Sequence, residues 1–145
     1  MPTPAAVALD LPASAAAALD LCAAAATYPG RPEHVRQARA DARGLLAGCP
    51  AADEVILCLS ELAANAVLHS DSRRPGGTFT VLIESCPSAY IRIEVDDDGG
   101  PWLAPARDPH SGRGLDIISV LAADWGVATS PTGRTVWARI NWPST

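Results

Sequence analysis

Four short stretches of this sequence combine residue types that do chemistry together. The first is Glu61-x-x-x-Asn65. Four residues apart on a helix, the two side chains stand one above the other. A carboxylate there takes a proton from water or a hydroxyl. An amide oxygen suits Mg2+, a hard cation that prefers oxygen. The second is Val95-Asp96-Asp97-Asp98-Gly99-Gly100. Three adjacent carboxylates repel one another unless something uses them. A buried Asp at a strand end can accept a hydrogen bond from an adenine amino group, and Gly99 and Gly100 let a base approach the backbone. The third is Gly112-Arg113-Gly114, opening a helix whose free N–H groups and dipole suit phosphate. The fourth is Gly133-Arg134-Thr135, entering the last strand. Taken singly, each also fits an ordinary surface: a solvated helix face, an acidic turn, a helix start, a hairpin turn. Their weight lies in their order and spacing.

The elements that must position these residues are visible in the hydrophobic pattern. Pro32 fits the first turn of a helix over 33–46, with Val35, Ala38, Ala42, Leu45 and Leu46 on one face and Arg36, Arg39 and Arg43 beside it. Gly48 and Pro50 end that helix. A second helix spans 52–69. Its Val55, Ile56, Leu59, Leu62, Ala63, Ala66 and Val67 share one arc, with Glu61 and Asn65 opposite, among Leu57 and Leu68. Residues 71–77 read as a loop. Residues 78–84 alternate with Phe79, Val81 and Ile83 on one face. Residues 90–96 place Ile91, Ile93 and Val95 inward, and Arg92, Glu94 and Asp96 outward, so the two form an antiparallel hairpin. A third helix runs from Leu115 to about 123, and strands over 125–129 and 134–141 close the chain. This order predicts an α+β fold: a two-layer sandwich with a mainly antiparallel sheet and helices on one face. Residues 1–30 are rich in Ala and Pro and read as a partly ordered segment, helical over 14–26. Residues 31–145 are left as the folded domain.

Composition narrows the function. A chain of 145 residues is enough for one domain, and 48% apolar with 19% charged residues is a globular balance rather than a disordered one. A net charge of −5 with no basic stripe excludes a general nucleic-acid binder. All the cations are Arg. Without Lys a Walker-type phosphate loop is excluded, so phosphate must be held by backbone amides, a metal or Arg. Cys22, Cys49, Cys58 and Cys86 form no close pair and read as reduced thiols rather than a zinc site. No stretch approaches the ~18 apolar residues of a membrane span, and the Ala-rich start lacks the basic region of a secretory leader. The reading is a cytoplasmic protein with no membrane contact.

In this order the four stretches resemble the Bergerat ATP-binding fold of the GHKL superfamily, which includes gyrase, Hsp90, histidine kinases and MutL. The likeness is greatest to the compact serine/threonine kinases that act as bacterial anti-sigma factors, and to their actinobacterial ATP-binding relatives. It is carried by Ser60-Glu61-Leu62-Ala63-Ala64-Asn65-Ala66-Val67-Leu68-His69-Ser70, Asp97-Asp98-Gly99-Gly100-Pro101-Trp102, Gly112-Arg113-Gly114-Leu115 and Gly133-Arg134-Thr135-Val136-Trp137, and covers roughly 32–142. The resemblance implies ATP and Mg2+ as cofactors. By it, Asn65 ligates Mg2+ and Glu61 is the general base. Asp97 takes the adenine amino group beside Gly99 and Gly100. Gly112, Arg113, Gly114 and Leu115 hold the phosphates, Thr135 sits behind the adenine, and 103–111 form a lid. The family's Asp-x-Gly-x-Gly ends here in Pro101, which stiffens the turn and removes an amide donor. No phosphoacceptor-histidine domain is recognised, so a self-contained two-component kinase is not expected. The implied activity is transfer of the ATP γ-phosphate to an anti-anti-sigma protein, with or without sequestration of a sigma factor, and such kinases are usually homodimers. The alternative is a non-catalytic ATP-sensing interaction module.

Overall fold

The computed structural model describes residues 22–100 and 116–143. Its elements are β1 (Cys22–Pro29), α1 (Pro32–Leu45), α2 (Ala52–His69), a 3-10 turn (Asp71–Arg73), β2 (Thr78–Cys86), β3 (Tyr90–Asp97), β4 (Asp124–Ser130) and β5 (Gly133–Asn141). Residues 116–121 are helical and are labelled α3. The five strands form one sheet in the order β1-β2-β3-β5-β4, and each neighbouring pair is antiparallel.

α2 forms where the period predicts it. Asp53 and Glu54 lie in its first turn, where the helix dipole favours negative charge. Val55, Leu59, Leu62 and Ala66 make a fully buried stripe against the sheet. Ser70 ends the helix in extended backbone: its Oγ donates to Ala66 O at 2.7 Å and accepts from Ser72 N at 3.0 Å. α1 begins with Pro in its first turn and buries only Ala38 and Ala42. The sheet presents Phe79, Val81 and Ile83 from β2, Ile91, Ile93 and Val95 from β3, and Val136, Ala138 and Ile140 from β5 to this layer, and Ile118 of α3 joins them. Fully burying a side chain of this size contributes ~1.5–3 kcal/mol, so this one layer dominates the stability of the fold.

Two readings of the sequence change. Residues 22–26, expected to continue a helix, belong to β1. The Ala run pairs along its whole length with β2, from Cys22 opposite Ser85 to Pro29 opposite Thr78. Thr27 and Thr80 share a hydroxyl hydrogen bond of 2.8 Å. Tyr28 stacks on Phe79 with centroids 5.4 Å apart and donates to Asp41 of α1 at 2.6 Å. Tertiary pairing overrides the helical preference of Ala. The rest of the expected helix, 14–21, lies outside the described residues.

The second change concerns the face of the sheet away from α1 and α2. Arg92, Glu94 and Asp96 do point there, but that face is not simply solvated. Leu82, Glu84 and Glu94 are buried on it. Arg92 pairs with Glu94 at 2.9 Å and lies 5.0 Å from the centre of the Trp137 ring. Burial pushes the Glu84 and Glu94 carboxyls up, and Asp96 pushes Glu94 further. Among the described residues no helix is long and apolar enough to cross a membrane.

Candidate functional site

A cavity of about 350 Å3 opens between α2 and the β4–β5 hairpin. That volume falls in the ~300–1,000 Å3 range of small-molecule sites. Asn65 lines one side, Gly99 and Gly100 another, and Val127, Thr129, Gly133, Arg134 and Val136 the floor and far wall. Asn65 is 8% exposed, and its amide has no hydrogen-bond partner among the described residues. Its polar atoms are not buried away from that space, so the amide meets whatever fills the cavity.

The Gly99–Gly100 turn is fixed from below. Asp71 N donates to Gly99 O at 2.7 Å, and Asp98 N to Ser72 Oγ at 2.8 Å. Gly99 and Gly100 have φ of +69° and +98°, a region that glycine adopts without strain. A side chain at Gly100 would collide with the Asp71 carboxylate. The turn therefore presents bare backbone to the cavity. Ser70, Asp71 and Ser72 were missed as site-building residues. Their signal was present as a Ser-Asp-Ser run directly after a helix, a pattern that favours side-chain to backbone capping.

The three adjacent aspartates resolve their repulsion by separating. Asp96 accepts from Thr135 Oγ1 at 2.6 Å on the far face of the sheet. Asp98 accepts from Thr78 N at 3.1 Å. Asp97 is buried toward the cavity side, where its Oδ1 accepts from Gly99 N at 2.7 Å and its Oδ2 from two nitrogens of Arg134. Burial raises the Asp97 carboxyl, against the opposing pull of the Arg134 charge and the Gly99 N–H.

The structure brings together only part of the predicted set. Asn65, Gly99 and Gly100 line the cavity. Asp97 lies one layer behind, with Arg134 in front of it. Glu61 is half-buried one turn before Asn65 and outside the cavity lining. Thr135, expected behind a bound base, faces the opposite side of the sheet and is taken up by Asp96. The reason is parity: in a strand successive side chains alternate, so Arg134 and Val136 face the cavity and Thr135 cannot. Thr129 of β4 lines the cavity instead. Gly112, Arg113, Gly114, Leu115, Pro101 and the expected lid lie outside the described residues.

Fold and cavity define a two-layer α+β domain with a ligand site between its helical layer and the end of its sheet. Residues 28–140 match the histidine kinase-like ATPase domain, and the chain belongs to that family. It is thus an ATP-binding domain of the GHKL, or Bergerat, type. No protein of curated function matches the sequence. Two solved structures share the fold. One holds the RsbU and RsbW domains of a Mycobacterium tuberculosis protein, at 19% identity and a TM-score of 0.61, covering 85% of this chain and 33% of that one. The other is the histidine kinase domain of the blue-light activated histidine kinase of Erythrobacter litoralis EL346, at 19% identity and a TM-score of 0.53, covering 76% and 60%. The chain thus spans about a third of the mycobacterial structure.

The cavity fits an adenine nucleotide: it has apolar walls at Val127 and Val136, a glycine turn and an open amide. For Mg2+ the side-chain oxygens on the described cavity lining are those of Asn65, Thr129 and Ser130, of which the Asn65 amide is the candidate ligand. The described residues hold no group of three or more His, Cys, Asp or Glu side chains able to bind a metal. A single protein oxygen suits Mg2+, which usually completes its shell with water and substrate phosphates.

Proposed function

We propose that this domain is a regulatory serine/threonine protein kinase of the anti-sigma-factor type, which transfers the ATP γ-phosphate to an anti-anti-sigma protein and/or sequesters a sigma factor. The observation that carries this reading is Asn65: an amide that lines a cavity and has no hydrogen-bond partner among the described residues, in a histidine kinase-like ATPase domain. Asn65 would hold Mg2+, and the metal would supply charge neutralisation at the phosphates. Glu61, one helical turn earlier, takes the proton of the attacking hydroxyl. By the resemblance, Gly112, Arg113, Gly114 and Leu115, which lie outside the described residues, would hold the phosphates. The fold shared with a structure containing an RsbW domain supports a regulatory setting. The protein acts in the cytoplasm on protein partners and pairs as a homodimer.

One observation favours the rival, a non-catalytic ATP-sensing module: Glu61 stands outside the cavity lining. A single experiment separates the two. The protein is used to capture partners with and without Mg-ATP, and each captured protein is mapped for new phosphoserine or phosphothreonine. The kinase reading predicts ATP-dependent phosphorylation, slowed roughly 10²–10⁴-fold in Glu61→Ala while nucleotide binding persists. Partner capture that depends on ATP with no phosphate transferred supports the sensing module.

A further inference from the structure

Arg134 stands between Asp97 and the cavity. Arg134 lines the cavity and Asp97 does not. Its Nε donates to Asp97 Oδ2 at 3.1 Å, and a terminal nitrogen donates to the same oxygen. The Arg134 and Asp97 side chains are 6% and 2% exposed, so the pair is largely shielded from water, with Arg134 on the cavity side. Around them, the Gly99 backbone lies against Gly133, so closely that a Cβ at Gly99 would stand 3.1 Å from the Gly133 Cα. An N–H donated to a buried carboxylate oxygen is also what an exocyclic amino group offers, through one of its two N–H bonds. We propose that Arg134 is a specificity-determining latch on the base subsite, its guanidinium covering Asp97 until the amino group of an adenine replaces it. The proposal rests on the cavity being a nucleotide site.

The selectivity follows from desolvation. A buried carboxylate that loses its partner without a substitute is strongly disfavoured. Only a ligand with an N–H donor at that point can release Arg134 from Asp97. Guanine carries a carbonyl at the corresponding position, so it leaves the latch shut. The cost of releasing the pair is taken from the affinity for ATP, which is therefore lower than the cavity alone would give.

The test is calorimetric titration of Mg-ATP into the full chain and its Arg134→Gln and Arg134→Lys variants, each checked by thermal melting. Arg134→Gln is expected to bind ATP about tenfold more tightly, equivalent to about 1.4 kcal/mol. Arg134→Lys, which keeps the charge but loses the two-pronged grip, falls between. A purely structural arginine gives weaker binding when removed, so unchanged or weaker affinity in folded Arg134→Gln overturns the latch. A readout on the unaltered protein covers the case in which the variants do not fold. The Arg134 Nε–H resonance should move, and exchange faster with water, on saturation with Mg-ATP, but not on addition of GTP. ATP binding that leaves this resonance in place contradicts the latch alone. Absence of ATP binding in every protein overturns the nucleotide reading together with it.

Discussion

At the end of β3 three neighbouring aspartates take three different partners, and only Asp97 is aimed at the cavity side. The resemblance to the Bergerat fold made Asp97 the candidate base reader among the three aspartates at the strand end. It gave no sign that Arg134 would cover it, because that pairing joins residues 37 apart across β3 and β5. The residue-level account makes nucleotide choice strict. ATP and ADP bind, and GTP binds at least roughly tenfold more weakly, since guanine has no amino group there to give Asp97 a donor in place of Arg134, and a buried acceptor without a donor costs ~1–3 kcal/mol. Competition titrations with both nucleotides check this, and equal affinity contradicts the role given to Asp97. Asp97→Asn is a poorer test of base reading, because it also removes the carboxylate that the buried Arg134 pairs with and lowers stability.

The elements were legible to very different degrees. Residues 52–69 of α2 and the β2–β3 hairpin follow directly from periods of 3.6 and 2, because each has one strongly apolar face. β1 was not legible. Its run of four alanines carries no alternation, and its strand state depends on β2 as a partner. Thr135 shows the limit on the site side. The motif located its strand, but a shift of one position decides which face a side chain takes. The anchor of β1 is Tyr28, which stacks on Phe79 and binds Asp41. Tyr28→Phe keeps the ring and loses the hydroxyl bond, costing ~0.5–1.5 kcal/mol in denaturant unfolding. Tyr28→Ala removes the ring as well and costs ~3–5 kcal/mol. A near-neutral Tyr28→Ala would show that residues 22–29 are not held in the sheet as described.

At the scale of the molecule, the sheet has two unlike faces. One carries the apolar layer under α1 and α2, and the other buries carboxylates at Glu84 and Glu94. Each has one oxygen without a partner. The alternation of β3 marked Glu94 as outward, but burial depends on what lies above a face, which a strand's own pattern does not report. Burial raises the Glu84 carboxyl, opposed by Arg92 and Tyr90. With the folded value above the unfolded one, the stability linked to Glu84 is full below the ordinary carboxylate range and is lost as pH rises through the raised value. Glu84→Gln should therefore raise the melting temperature at pH 8, by roughly 3–5 °C for ~1 kcal/mol, and change it little at pH 4. A gain of equal size at both pH values would contradict this. The central claim is that the molecule binds Mg-ATP through the cavity Asn65 faces. The most direct measurement is titration of ATP into the protein and into Asn65→Ala, in Mg2+ and again in a chelator. The Asn65 side chain makes no hydrogen bond among the described residues, so the variant should stay folded. The account predicts that Asn65→Ala weakens Mg-ATP binding by roughly tenfold or more, about 1.4 kcal/mol, and that the two proteins converge when Mg2+ is removed. Equal affinity of both proteins for Mg-ATP would contradict it.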